Sequence, residues 1–258
     1  MIQLWLYPLL FLTGMVAGFV DSIAGGGGLI SLPVLLNIGL PPAEALGTNK
    51  LQATFGSASA TWHYGRAGLI DFHRCGTGMF FTLVGATVGT LLVRKLPEEF
   101  LRQSIPWLLV VVAVYTLFRR KLGEVDGQPR MSTNAFYIMC GLALGCYDGF
   151  FGPGTGTFWA MAYLLFLGYN LTRATAHTKV MNFTSNLASL SIFAMSGHVH
   201  FPSGIAMGLG QLVGARIGSR VVIKRGTRFI RPIFITVVLG VTARLLYQNF
   251  LSGSSSRP

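Results

Sequence analysis

Charge is scarce in this chain. Asp, Glu, Lys and Arg make up 11% of its 258 residues, against about 25% in an average soluble domain. Acids are the rarer sign, eight against twenty Lys and Arg, and the formal net charge is +12. Segments of about 10 residues that alternate apolar with polar are absent, which argues against a transmembrane β-barrel. Cysteine is sparse and odd in number: Cys75, Cys140 and Cys146 lie in or beside apolar stretches and form neither a disulfide framework nor a metal-ligand spacing. There is no Gly-x-Ser-x-Gly, no His-Glu-x-x-His, no Cys-x-x-Cys and no Gly-Lys-Ser/Thr phosphate loop. The sequence therefore points away from an enzyme and calls for no cofactor. His198-Val-His200 sets two imidazoles close together with no Cys, Asp or Glu beside them, so no metal is expected there.

What the chain does contain is apolar. Hydrophobic residues are 52% of the total and the mean hydropathy is +0.57. Runs of about 20 apolar residues recur, which predicts an all-α polytopic membrane protein. The basic residues scatter over short loops, the positive-inside pattern of a membrane protein rather than a nucleic-acid-binding face. The first apolar run, Leu4 to Val20, lacks a basic leader and an Ala-x-Ala site and reads as a first span rather than a signal peptide.

Breaks at Gly, Pro and charge clusters predict helices at 3–22, 28–39, 43–63, 72–93 and 98–119, then 133–150, 156–168, 172–195, 203–222 and 227–250. The polar stretch 121–131 is a linker between a first membrane repeat, 1–120, and a second, 132–252, with a tail at 253–258. A constant spacing of 129 pairs Gly39 with Gly168, Lys50 with Lys179 and Phe72 with Phe201. It also pairs Gly85 and Gly89 with Gly214 and Gly218, and Phe100 and Arg102 with Phe229 and Arg231. So many landmarks at one spacing indicate duplication, and internal symmetry is common in secondary transporters.

Charge decides how the halves are oriented. Five crossings per half, starting outside, place Arg66, Arg74, Arg119, Arg120, Lys121, Arg130, Arg173, Arg216, Arg220, Lys224, Arg225, Arg228 and Arg231 on the cytoplasmic side. Only Arg94, Lys95, Arg102, Arg244 and Arg257 fall outside. This bias favours an inverted repeat of 8–10 membrane segments with both termini outside. The segments 28–39 and 156–168, roughly 18–20 Å long as helices, fall short of about 30 Å of hydrocarbon and are expected to be glycine-broken half-helices.

Each half carries the same constellation. In the first, Asp21 precedes Gly25-Gly26-Gly27-Gly28, and Gly47-Thr-Asn49-Lys50 follows the short helix. In the second, Asp148 precedes Gly152-Pro-Gly154-Thr155-Gly156, and His177-Thr178-Lys179 follows. A helix N-terminus opened by glycine offers free N–H groups and about half a positive charge, a ready anion site. A lysine inside an apolar helix needs an anionic ligand or an ion-pair partner such as Asp21 or Asp148. Asn49 and Gln52 share one helix face at i, i+3, as do Lys179 and Asn182. Asp21 and Asp148 either accept backbone N–H bonds to hold the loops or bind a coupling proton. His177 also titrates near neutrality but pairs with Thr48 in the other half, so a proton role there would be asymmetric. The candidate substrate ligands are therefore Gly25 to Gly28, Asn49, Lys50, Gln52, Gly152, Gly154, Thr155, Gly156, Thr178, Lys179 and Asn182. Asp21, Asp148 and His177 are the coupling or loop-holding candidates.

The stretch from Gly18 to Pro33, followed by Gly39-Leu-Pro-Pro-Ala-Glu-Ala-Leu-Gly-Thr-Asn49-Lys50, resembles the TauE/SafE family of sulfite and organosulfur-anion exporters, also called the toluene-sulfonate uptake permease family. Gly85-Ala-x-x-Gly89 and the second-half copy are similar to it too. The second break carries Pro153 and Thr155, after Phe150-Phe151, where the family is richer in glycine. The resemblance implies a carrier in the bacterial inner membrane for small sulfur-containing anions, driven by a proton or ion gradient and open to homo-oligomerisation. It places the substrate between the glycine breaks, near Asn49, Lys50, Thr178 and Lys179.

Overall fold

The computed structural model describes residues 3–118 and 125–226. The predicted helix 227–250, the tail, the first residues of the linker and the landmarks Phe229 and Arg231 lie outside the described residues. Within them the chain forms nine α-helices: α1 (Leu6–Ala24), α2 (Gly27–Asn37), α3 (Pro42–Arg66), α4 (Phe72–Val93), α5 (Glu98–Phe118), α6 (Thr133–Phe150), α7 (Thr155–Phe166), α8 (Leu171–Met195) and α9 (Phe201–Arg225).

Local chemistry sets the ends. Asp71, Ser132 and Asn170 cap α4, α6 and α8 by accepting a backbone N–H with their side chains. Proline opens α3 and α9, where a missing N–H costs nothing. Gly25 ends α1 in the left-handed region at φ 78°. The differences from the expected boundaries have local causes. α2 and α7 stop two residues early, at Asn37 and Phe166, and the chain then turns through Gly39 at φ 92° and Gly168 at φ 66°. α3 runs three residues further, to Arg66, and turns at Gly68 at φ 71°.

Glycine lets pairs of helices touch backbone to backbone. α1 lies along α9 in the same chain direction: a Cβ on Gly14 would stand 2.1 Å from Met207 O, and one on Gly214 1.9 Å from Met15 O. α4 lies along α6 in the same way, with Gly85 against Leu142 O and Gly89 against Cys146 O. α3 also runs with α9, Gly204 meeting Leu51 and Gly208 meeting Phe55. α8 runs with α4, through Thr82 Oγ1 to Met181 Sδ at 3.5 Å and Thr90 Oγ1 to Ser189 Oγ at 2.9 Å. α3 and α8 are opposed: Gly47 near the start of α3 packs on Phe193 near the end of α8, while Asp71 just past α3 meets His177 near the start of α8. So α1, α3 and α9 point one way, and α4, α6 and α8 the other.

The bundle is apolar outside and polar within. Leu9, Leu12 and Val16 of α1, Phe80, Leu83 and Leu91 of α4, and Ile205 and Leu209 of α9 are exposed, while Asn49, Lys50, Gln52, Asp148, Lys179, Asn182 and Gln211 are buried. This is the distribution of a helical membrane protein. Among the described residues, α1 and α4 are long and apolar enough to cross a membrane on length and composition alone. α3, α8 and α9 have the length, 25 residues each, but spend part of their surface on the polar interior. The described part of the linker is pinned: Gly127 N–H donates to Gly168 O at 2.7 Å and Arg130 N–H to Phe166 O at 2.8 Å.

Candidate functional site

The two glycine breaks meet at the centre of the bundle. A Cβ on Gly25 would stand 2.4 Å from the Gly156 carbonyl carbon, and one on Gly28 3.1 Å from Pro153 Cα. Thr157 Oγ1 donates to Ala24 O at 2.9 Å, tying α7 to the end of α1. Glycine is required here because two main chains occupy the space that side chains would need.

Each acid pairs with the lysine of the opposite half. Lys50 Nζ stands 2.7 Å from Asp148 Oδ1 and also donates to the Asp148 backbone carbonyl. Lys179 Nζ stands 3.0 Å from Asp21 Oδ2 and donates to the Asp21 carbonyl. Both lysine side chains are almost wholly enclosed, at 1% and 0% exposure. Of the two sequence readings of these lysines, ligand or ion-pair partner, the geometry displays the ion pair. An ammonium withdrawn from water is thereby compensated, and each pair clamps the residue at which a helix gives way to a glycine break.

A small cavity of about 30 Å³ lies between the breaks, room for one or two water-sized groups. Gly25 and Gly28 line it from one half and Gly152, Gly154, Thr155 and Gly156 from the other. Asp21, Asn49, Lys50, Asp148 and Asn182 complete the sequence-predicted part of the wall. The N–H groups of Gly28 and Gly156, each the second residue of its helix, have no acceptor among the described residues. The N-cap residues of α2 and α7 offer no side chain. Asp21 Oδ1 takes the Gly27 N–H at 3.3 Å and the Gly152 carbonyl the Thr155 N–H at 3.1 Å, so one N–H of each first turn is left toward the shared space. Asn49 Oδ1 accepts from Ser31 Oγ at 2.6 Å and from Gln52 Nε2 at 2.8 Å. With its carbonyl occupied, Asn49 has its amide N–H groups left for the cavity.

The remaining candidates lie outside the wall. Gly26 caps α2, and Gly27 N–H contacts Asp21 Oδ1 at 3.3 Å. Gln52 orients Asn49 instead of lining the cavity. Thr178 Oγ1 bonds back to Ala174 O at 2.8 Å. Lys179 acts through Asp21. His177 has both ring nitrogens engaged by main chain, Nδ1 with Arg173 O at 2.9 Å and Nε2 accepting from Asp71 N–H at 3.2 Å. That makes it a staple between α8 and the α3–α4 turn.

Three wall residues are absent from the sequence-derived set: Ala53, Asn186 and Gln211. Asn186 stands four residues beyond Asn182, the spacing that stacks side chains on one helix face. Gln211 is the lone amide between Gly210 and Gly214, a stretch that reads as a packing seam. Gln211 Oε1 and Asn182 Oδ1 are buried with no hydrogen-bond partner among the described residues.

Comparison with known proteins matches residues 10–245 to the family described as Sulfite exporter TauE/SafE. An Escherichia coli K12 protein named "Probable membrane transporter protein YfcA" is 43% identical over 249 residues, covering 96% of this chain and 93% of its own. A Haemophilus influenzae "Probable membrane transporter protein" is 41% identical over 244 residues, covering 95% and 96%. Bacillus subtilis "Probable membrane transporter protein YunE" is 23% identical over 277 residues, covering 95% and 99%. No solved structure matches the chain. The family match runs through both glycine breaks and both lysine-bearing helices, and the chain belongs to the sulfite exporter TauE/SafE family.

Proposed function

We propose that the chain is a secondary carrier, working as an exporter, of small sulfur-containing anions such as sulfite, thiosulfate or an organosulfonate. It acts in the bacterial inner membrane by alternating access coupled to a proton or another ion. The observation that carries this reading is the cavity between two helix N-termini, one from each half. The relatives named as membrane transporters and the family's description as sulfite exporters support it.

Charge arithmetic narrows the ligand. The crossed pairs cancel, Lys50 with Asp148 and Lys179 with Asp21. What remains is about half a positive charge from each N-terminus, or roughly one in all. That balances a singly charged oxyanion, such as hydrogensulfite or an organosulfonate, better than divalent thiosulfate, and the anion would take the Gly28 and Gly156 N–H groups and the Asn49 amide as donors. The lysines then act by holding the acids and the breaks in place.

The halves are inverted in this reading. α1, α3 and α4 of the first half run opposite to their respective counterparts α6, α8 and α9 of the second, the relation expected of repeats about an axis in the membrane plane. α2 and α7, with 11 and 12 residues, are half-helices of roughly 16–18 Å that turn back inside the bilayer. Given the chain directions, Arg66, Arg74, Arg130, Arg173, Lys224 and Arg225 gather at one end of the bundle, the cytoplasmic one by the positive-inside rule.

Reconstitution of the full chain into liposomes tests the proposal. Sulfite, thiosulfate, methanesulfonate and acetate are each offered with and without a pH gradient. Saturable flux of at least one sulfur anion, with counterflow, is expected. Flux that rises linearly with concentration would mean a channel, and movement of none of the anions would remove the carrier reading.

A further inference from the structure

The two acids are not equally held, and one position accounts for the difference. At the constant spacing of 129, Ser185 on α8 corresponds to Gly56 on α3. Ser185 Oγ donates to Asp148 Oδ2 while Lys50 holds Oδ1, so both oxygens of Asp148 are committed. Gly56 has no side chain to offer Asp21. The place its Cβ would take is filled by Gln211, whose Oε1 stands 1.8 Å from it. This is the buried Oε1 with no partner among the described residues, on a side chain that lines the cavity. Asp21 keeps Lys179 on Oδ2, but on Oδ1 it has only the long 3.3 Å contact from Gly27 N–H. Its side chain is 20% exposed against 4% for Asp148.

We propose that Asp21 takes up and releases the coupling proton, with the Gln211 carboxamide as its companion, while Asp148 stays ionised as a fixed anchor. This rests on the carrier reading. The proton comes from water entering the cavity and adds to the carboxylate of Asp21. Lys179 then loses its ion partner but keeps the Asp21 backbone carbonyl as acceptor. A carboxamide suits both states of the acid, since its oxygen accepts from a carboxylic O–H and its N–H groups donate to a carboxylate. Protonation makes the cavity one unit more positive. The other groups facing Asp21 are Lys179 from α8, Lys50 and the Tyr64 hydroxyl from α3, and Asp148 across the cavity. α2, α7 and α9 turn no charged side chain toward it; Arg216, Arg220 and Lys224 of α9 are exposed on its outer face.

Infrared difference spectra between mildly acidic and mildly alkaline buffer test this on the purified full chain and need no transported anion. A carboxylic-acid carbonyl band present in the wild type should be missing in Asp21→Asn, moved in Asp21→Glu and in Gln211→Met, and kept in Asp148→Asn. In liposomes loaded with sulfite, accumulation driven by a pH gradient should fall by about tenfold or more in Asp21→Asn and return in part in Asp21→Glu. A band that survives Asp21→Asn, or disappears in Asp148→Asn, overturns the assignment. If Asp21→Asn fails to fold, an unmoved band in both Asp21→Glu and Gln211→Met overturns it instead. If no anion in the flux panel moves, the carrier reading fails, whereas the infrared result still decides whether Asp21 titrates.

Discussion

Lys50 with Asp148, and Lys179 with Asp21, are the same pair formed twice across the molecule, and the two are held to different degrees. The first is sealed, with both carboxylate oxygens bound and a serine hydroxyl beside the lysine. The second is looser, with one weak N–H contact and part of the acid open to the cavity. At matched positions a single difference is informative: Ser185 against Gly56 divides a closed clasp from one with room to change.

The largest expected effect removes the contact both clasps depend on. Gly25→Ala forces φ 78° on an alanine and drives its Cβ to within 2.4 Å of Gly156. No monodisperse protein is expected on size exclusion. Gly39→Ala has φ 92° but open space around it, and should cost only about 1–2 kcal/mol.

Breaking the clasps one at a time comes next. Lys50→Met strands a buried carboxylate and should cost about 3–5 kcal/mol, read as a lower melting midpoint in detergent. Lys179→Met should cost less, because Asp21 is partly exposed. The double change Lys50→Met with Asp148→Leu should recover most of the loss. Equal costs for the two lysines would erase the asymmetry.

Smaller changes sharpen it. Ser185→Ala removes a donor from a buried carboxylate and should cost about 1–3 kcal/mol, whereas Gln211→Met deletes an unpartnered buried amide and should be close to neutral in stability. The smallest effect lies at the exposed end of the second half. The backbone N–H of Asn170, with Arg173 in support, holds the Asp126 carboxyl below its ordinary range. Its stabilising contribution is complete above the usual carboxylate pKa and fades as pH falls through the lowered value. The wild type should therefore melt slightly above Asp126→Asn near neutrality, and the gap should close in strong acid.

Much of this was legible in the residues. Glycine and proline mark the helix ends, and Asp, Gly and Lys recurring in the same order lead to both breaks. Which acid takes which lysine was not legible, because Lys50 and Asp148 are far apart in sequence and only the folded chain brings them together. Nor could spacing separate residues that face the cavity from those that support them. Gln52 and Thr178 have the right chemistry but spend it on Asn49 and on the helix backbone. Gln211 hides in a glycine seam because its neighbours serve packing, and only the missing side chain of Gly56 gives it room to reach inward.

The seams between α1 and α9 and between α4 and α6 also fix how this molecule divides mechanically. Each joins a helix that precedes the linker to one that follows it through direct main-chain contact, a join that cannot slide without steric collision. The packing units are thus interleaved composites, one gathered on α9 and the other on α4, and each draws its helices from both sides of the linker.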